Sequence, residues 1–128
     1  MTEYPKKVLL FGMQQEKKKS IMRLCRELHI PVSVVPCGRY LQPLGALAGV
    51  SFIAENHSFY EGEQLQQEMM VLCGLSEREL DDFLDTYRQR KIEPVAYKAV
   101  LTAANMMWTP LALFEELARE HHKMTKNR

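Results

Sequence analysis

The sequence has no run of eighteen apolar residues, so it offers no segment long enough to cross a membrane as a helix. After the opening Met1-Thr-Glu-Tyr-Pro-Lys-Lys7, the six apolar or glycine residues from Val8 to Met13 are too few for a secretory signal core. Cysteine is scarce and badly placed for cross-linking. Cys25, Cys37 and Cys73 are far apart, odd in number and without a C-x-x-C, which argues against a disulfide scaffold and fits reduced thiols in the cytoplasm. Neither sign of charge prevails, with 17 basic against 16 acidic residues. Phosphate-loop, zinc-ligand and nucleophile–base spacings are also missing, and no cofactor is implied. What remains is 128 residues, 46% hydrophobic, enough for one domain with a real core.

The chain is organised around Met69 to His121. Met69 to Cys73 is a short apolar run closed by Gly74, the pattern of a strand buried on both faces. Ser76 and Glu79 form an S-x-x-E capping box, flanked by Leu75 and Leu80 as a hydrophobic staple. Leu80, Phe83, Leu84 and Tyr87 then follow at i, i+3, i+4, i+7, one stripe of a helix. Pro94 ends that helix near Arg90, and Val95 to Leu101 supplies a parallel strand reached through the helical crossover. Thr109-Pro110 starts the last helix, with Thr109 as the cap and Pro110 in the first turn.

The first half repeats this plan. A shift of 62 residues carries Leu10 onto Leu72, Gly12 onto Gly74, Ile21 onto Phe83 and Ile30 onto Ile92 without a gap. Val32 to Val35 is the matching second strand, and Gln42-Pro43-Leu44 resembles Thr109-Pro110-Leu111. The sequence therefore predicts one α/β domain, a two-layer sandwich of two pseudo-repeated β-α-β-α units sharing one roughly four-stranded sheet. A ferredoxin-like α+β arrangement is the alternative. The first repeat runs over about 6–49, a structured connection over 50–67, the second repeat over about 68–122, and a mobile basic tail over 123–128.

Lys98-Ala-Val-Leu-Thr-Ala-Ala-Asn-Met-Met-Trp-Thr-Pro-Leu111, preceded by Cys73-Gly-Leu-Ser-Glu-Arg-Glu-Leu80, resembles an uncharacterised family of small bacterial proteins known as a domain of unknown function. Gln42-Pro-Leu-Gly-Ala-Leu-Ala-Gly49 is similar to an upstream segment of longer members. The resemblance implies a bacterial cytosolic protein and supplies no activity, ligand or catalytic residue.

One loop stands out as a candidate site. Lys98, Thr102, Asn105, Trp108 and Thr109 lie at the carboxyl end of the last strand, where open α/β sheets bind ligands. The Thr109-Pro110 helix start would turn free N–H groups toward a small anion. The plainer reading has Asn105 shaping a turn, Trp108 covering the core and Thr109 acting as a cap alone. Lys17-Lys18-Lys19, with Lys6, Lys7, Arg23 and Arg26, reads as a solvated helix face rather than a nucleic-acid surface. Glu77, Glu79, Asp81, Asp82 and Asp85 complement a helix dipole rather than gather round a cation, and the adjacent His121 and His122 point apart.

The leading functional reading is a non-enzymatic cytosolic binding or regulatory module using that loop. A small enzyme using the Lys98–Thr109 loop and Cys73 is the alternative, and nucleic-acid binding through the basic first helix is weaker still. The opposite bias of the two repeat-related helices, +3 over 16–29 and −4 over 77–85, is compatible with a homodimer, the alternative being a monomer whose charges only keep it soluble. These charges are read as unable to pair within one molecule, because they sit on opposite repeats.

Overall fold

The computed structural model describes residues 4–126, with side chains as far as residue 123. Four strands, β1 (Lys7–Phe11), β2 (Val32–Val35), β3 (Met69–Cys73) and β4 (Tyr97–Val100), form one mixed sheet in the order β2-β1-β3-β4. Helices α1 (Gln15–Glu27), α2 (Leu44–Ala48), α3 (Glu77–Gln89) and α4 (Pro110–Lys126) alternate with them. The arrangement is an α/β fold of two β-α-β-α units sharing one sheet. Within each unit the strands are parallel, and the units meet antiparallel at β1 and β3. Each crossover helix joins neighbouring strands, unlike the split units of the ferredoxin-like alternative.

The internal repeat is visible in the pairing. Lys7 opposes Cys73, Leu9 opposes Val71 and Phe11 opposes Met69. A shift of 62 exchanges the first and last of these pairs and returns Leu9–Val71 to itself, so a pseudo-twofold axis passes between Leu9 and Val71. The same shift carries the bounds of α1 onto those of α3. It also carries Gly12 (φ 61°) onto Gly74 (φ 68°), and His29 (φ 59°) onto Lys91 (φ 55°). Each unit thus leaves its strand through a left-handed glycine and its helix through a left-handed C-terminal residue. Register slips only later: Val8 opposes Val32, but its counterpart Met70 opposes Lys98. Four extra residues precede β4, and buried Val95 among them packs against the α1–α3 side.

Both sheet faces are covered. Val8, Leu10, Met70 and Leu72 pack under α1 and α3 with Ile21, Leu24, Cys25 and Phe83. Leu9, Phe11, Met69, Val71 and Cys73 face the other way, against Tyr40, Leu44, Val50, Ile53 and Leu113. That second face is covered by α2, α4 and part of the connection, so a third layer accompanies the two read from the sequence. The repeat is least faithful here. Pro43 stands before α2 as its cap and Gly49 (φ 88°) stops it after five residues, whereas Pro110 opens a helix of 17. Helix α4 runs through the start of the segment read as a basic tail; residues 127 and 128 lie outside the described residues.

The connection is tied down by polar groups. Buried Gln42 donates from Nε2 to the Asn56 carbonyl (3.0 Å) and accepts from the Asn56 N–H (2.7 Å). Tyr40 donates to Gln64 Oε1 (2.5 Å) and stacks on Tyr60 with ring centroids 5.9 Å apart.

A charge-reversed clamp follows the repeat. Lys17, at the third position of α1, donates to Glu68 Oε1 (2.5 Å) and to the Pro94 carbonyl (2.9 Å). Under the shift, Lys17 becomes Glu79 and Glu68 becomes Lys6, and those two also form an ion pair. Glu68 also accepts from the Gln14 N–H at the start of α1 (2.7 Å), as Glu79 accepts from the Ser76 N–H (2.9 Å). Each helix start is therefore fastened by a carboxylate, and each clamp joins the residue before one central strand to the helix of the other unit.

Candidate functional site

Beyond β4 the chain turns sharply, and Asn105 makes the turn. Its Oδ1 accepts from the Thr102 N–H (2.9 Å) and its Nδ2 donates to the Val100 carbonyl (3.0 Å), while its own N–H meets Thr102 Oγ1 (3.3 Å). Leu101 donates inward to Leu72, so by strand alternation the Val100 carbonyl and Thr102 N–H face away from the sheet. One amide thus takes the bonds a fifth, parallel strand would make. Asn105 is accordingly buried, at 9% exposure.

The other end of the loop is fixed by the first repeat. The Gly45 N–H donates to the Met106 carbonyl (2.7 Å) and the Leu44 N–H to the Trp108 carbonyl (2.8 Å). The loop therefore receives the free N–H groups at the start of α2. Gly45 is needed for this approach, since a Cβ there would stand 2.4 Å from Ile53 Cδ1 and 3.1 Å from the Met106 carbonyl oxygen. Thr109 caps α4 by accepting the Ala112 N–H (3.1 Å). Braced at both ends, the loop presents Met107 (62% exposed) and Trp108 (37% exposed).

The five residues singled out in the sequence are divided by this geometry. Thr102, Asn105, Trp108 and Thr109 share the loop. Lys98 opposes Met70 in the sheet and emerges on the α3 side, lining a hollow of about 170 Å³ with Leu80, Leu84 and Val100. Cys73 faces the opposite layer, fully buried, and burial pushes its thiol up to about 12. Lys98 and Cys73 thus lie on opposite faces of the sheet. Burial likewise pushes the Cys25 thiol up to about 12. No group of three or more His, Cys, Asp or Glu side chains able to hold a metal ion occurs among the described residues. His121 packs its ring edge-on to Tyr97, with centroids 5.8 Å apart.

The basic residues of the first half are partly spent inside the molecule. Lys17 has only a tenth of its side chain exposed beside Glu68, and Lys6 pairs with Glu79. Helices α1 and α3 lie side by side, joined by the Glu27–Arg90 ion pair. The order β2-β1-β3-β4 sets both crossovers on one face, yet among the described residues no ion pair joins the basic residues of 16–29 to the acidic residues of 77–85. The clamps went unseen in the sequence because their partners are 51 and 73 residues apart. The shift of 62 carried the signal, setting Lys6 on Glu68 and Lys17 on Glu79 with charges exchanged.

The loop, α3 and β4 all fall within one recognisable segment. Residues 68–124 match the family model described as Domain of unknown function (DUF3783). No curated protein and no solved structure matches the chain. The DUF3783 segment is thus the second repeat, from the clamp residue Glu68 into α4. The first repeat, which braces its loop through α2, lies outside the match. No helix among the described residues is long and apolar enough to cross a membrane.

Proposed function

We propose that the chain is a cytoplasmic binding or regulatory module without catalysis of its own, and that its docking surface is the 102–109 loop. The observation that carries this is the exposure of Met107 and Trp108 on a backbone held by Asn105 at one end and by α2 at the other. An exposed indole and thioether on a preorganised loop match the anchors of protein interfaces, where ordering costs have already been met. The polar groups of the loop bond mostly to one another, which favours an apolar contact over a small polar ligand. Three free cysteines suit a reducing compartment.

The test is quantitative capture of partners by wild type, Trp108→Ala and Met107→Ser, with circular dichroism confirming the fold of each. A partner retained by wild type and lost with both variants is the expected result. If instead a small anion raises the melting temperature and Thr109→Val abolishes the effect, the loop binds a small ligand. Turnover lost in both Lys98→Ala and Cys73→Ser would overturn the non-enzymatic reading.

A further inference from the structure

The flank of α3 beside β4 carries a pattern that the protein-docking loop does not use. Glu77, Asp81, Leu84 and Arg88 form a seam at spacings of four, three and four along α3, and Lys91 follows three residues on, in the left-handed turn that ends the helix. Their charges run negative, negative, neutral, positive, positive. Reversed end to end, the order of charges is its own complement about Leu84, with Glu77 and Lys91 each seven residues from it and Asp81 and Arg88 three and four. All four charged residues are exposed, and Leu84 is half-buried. Leu84 also joins two hollows, one of about 170 Å³ with Leu80, Ala99 and Val100, the other of about 240 Å³ with Tyr87, Ile92 and Pro94. Val100 is 45% exposed at the edge of this apolar strip.

We propose that this flank of α3 binds a second copy of the chain, α3 against antiparallel α3, about a twofold axis at Leu84. The pairing sets Glu77 toward Lys91 and Asp81 toward Arg88 of the other copy, twice each, with Leu84, Leu80 and Val100 supplying apolar contact. Twofold interfaces require such self-complementarity. Charge fixes the orientation, and the apolar strip supplies affinity. The other repeat provides the contrast. Under the same shift the seam becomes Gln15, Lys19, Met22, Arg26 and His29, which carries no acid and repels its own copy. Backbone pairing of edge strands is not the route, because Asn105 occupies the end of β4 and Pro31 and Pro36 bracket β2.

The test uses the full chain, with light scattering after gel filtration and circular dichroism to confirm folding. Wild type is expected near twice the 14.9 kDa chain mass at hundreds of micromolar. Asp81→Arg and Arg88→Asp each weaken self-association about tenfold or more, since each opposes like charges across the axis. An equimolar mixture of the two variants restores the dimer, because both Arg–Asp contacts then re-form. Met22→Asp, at the related position on α1, leaves the dimer intact. Wild type at 14.9 kDa throughout, failure of the mixture to restore the dimer, or dissociation by Met22→Asp would each overturn the proposal.

Discussion

At Asn105 a side-chain amide takes both bonds that a further strand would offer, so its removal frees a carbonyl and an N–H at the sheet edge. Asn105→Ala is expected to cost about 1–2 kcal/mol, the range for leaving such groups with water as their only recourse. Asn105→Asp should cost more at neutral pH than at pH 3, because a carboxylate accepts from Thr102 yet faces the Val100 carbonyl. Urea unfolding at the two pH values checks both. Glu79 gives a second residue-scale expectation. The Lys6 ammonium, then the Ser76 N–H, hold its carboxyl down to about 2 from an ordinary 4.5. A depressed folded pKa contributes stability above the unfolded value, and that contribution fades as pH falls through 4.5 toward about 2. Wild type should therefore lose stability more steeply than Glu79→Gln across that window. Equal slopes in urea midpoints would show that the contact does not hold in solution. The thiols are simpler. Cys25 and Cys73 should resist alkylation in the native protein, leaving the half-exposed Cys37 as the labelled site by peptide mapping.

The repeat supplies internal controls at the scale of elements. Gly12 and Gly74 share a left-handed φ, but a Cβ on Gly74 would stand 2.3 Å from the Pro5 carbonyl oxygen, whereas one on Gly12 would meet the Gln64 side chain at 3.1 Å. Both alanine variants carry the left-handed penalty of about 1–2 kcal/mol. Gly74→Ala should exceed Gly12→Ala by a clear margin, since backbone yields less readily than a glutamine. The clamps allow a similar comparison. Glu68→Gln strips both the nearly buried Lys17 and the Gln14 N–H of their anion and should cost about 2–3 kcal/mol. Lys6→Met should cost less, because the Lys6–Glu79 pair is half in water. Equal losses would mean that burial does not distinguish the two. Legibility also varied by element. The capping box, the apolar runs and the proline stop are local signals, and they placed α3, β3 and the end of α3. The third layer was not legible because the local signals mark where the helices begin but not which face of the sheet α2 and α4 cover. Closeness in sequence groups Lys98 with the loop, whereas its place in β4 turns it to the α3 side of the sheet.

At the scale of the whole molecule, neither repeat has a core of its own. Leu9 and Phe11 share one layer with Met69, Val71 and Cys73, and Val8 and Leu10 share the other with Met70 and Leu72. The family match nevertheless begins at Glu68, inside the clamp and one residue before β3. An isolated 68–124 segment would leave β3, buried along its whole length, with one open edge and two half-covered faces. The pseudo-twofold axis shows how it could close. Leu9 opposes Val71 at the centre of the sheet and stands 62 residues before it, so a second copy of β3 fits where β1 lies, Val71 against Val71. The clamp would not survive the exchange, since Lys6 would be replaced by a second Glu68, facing Glu79. The segment is therefore expected to be largely unfolded alone at micromolar concentration and to gain sheet structure only as a dimer. It should be made with Leu84→Asp so that the α3 seam contributes nothing. Adding residues 1–67 should outcompete that dimer and restore full ellipticity, because it returns Lys6 and the α2 brace of the 102–109 loop. A monomeric 68–124 segment with a cooperative unfolding transition would show that the second repeat is a domain in its own right.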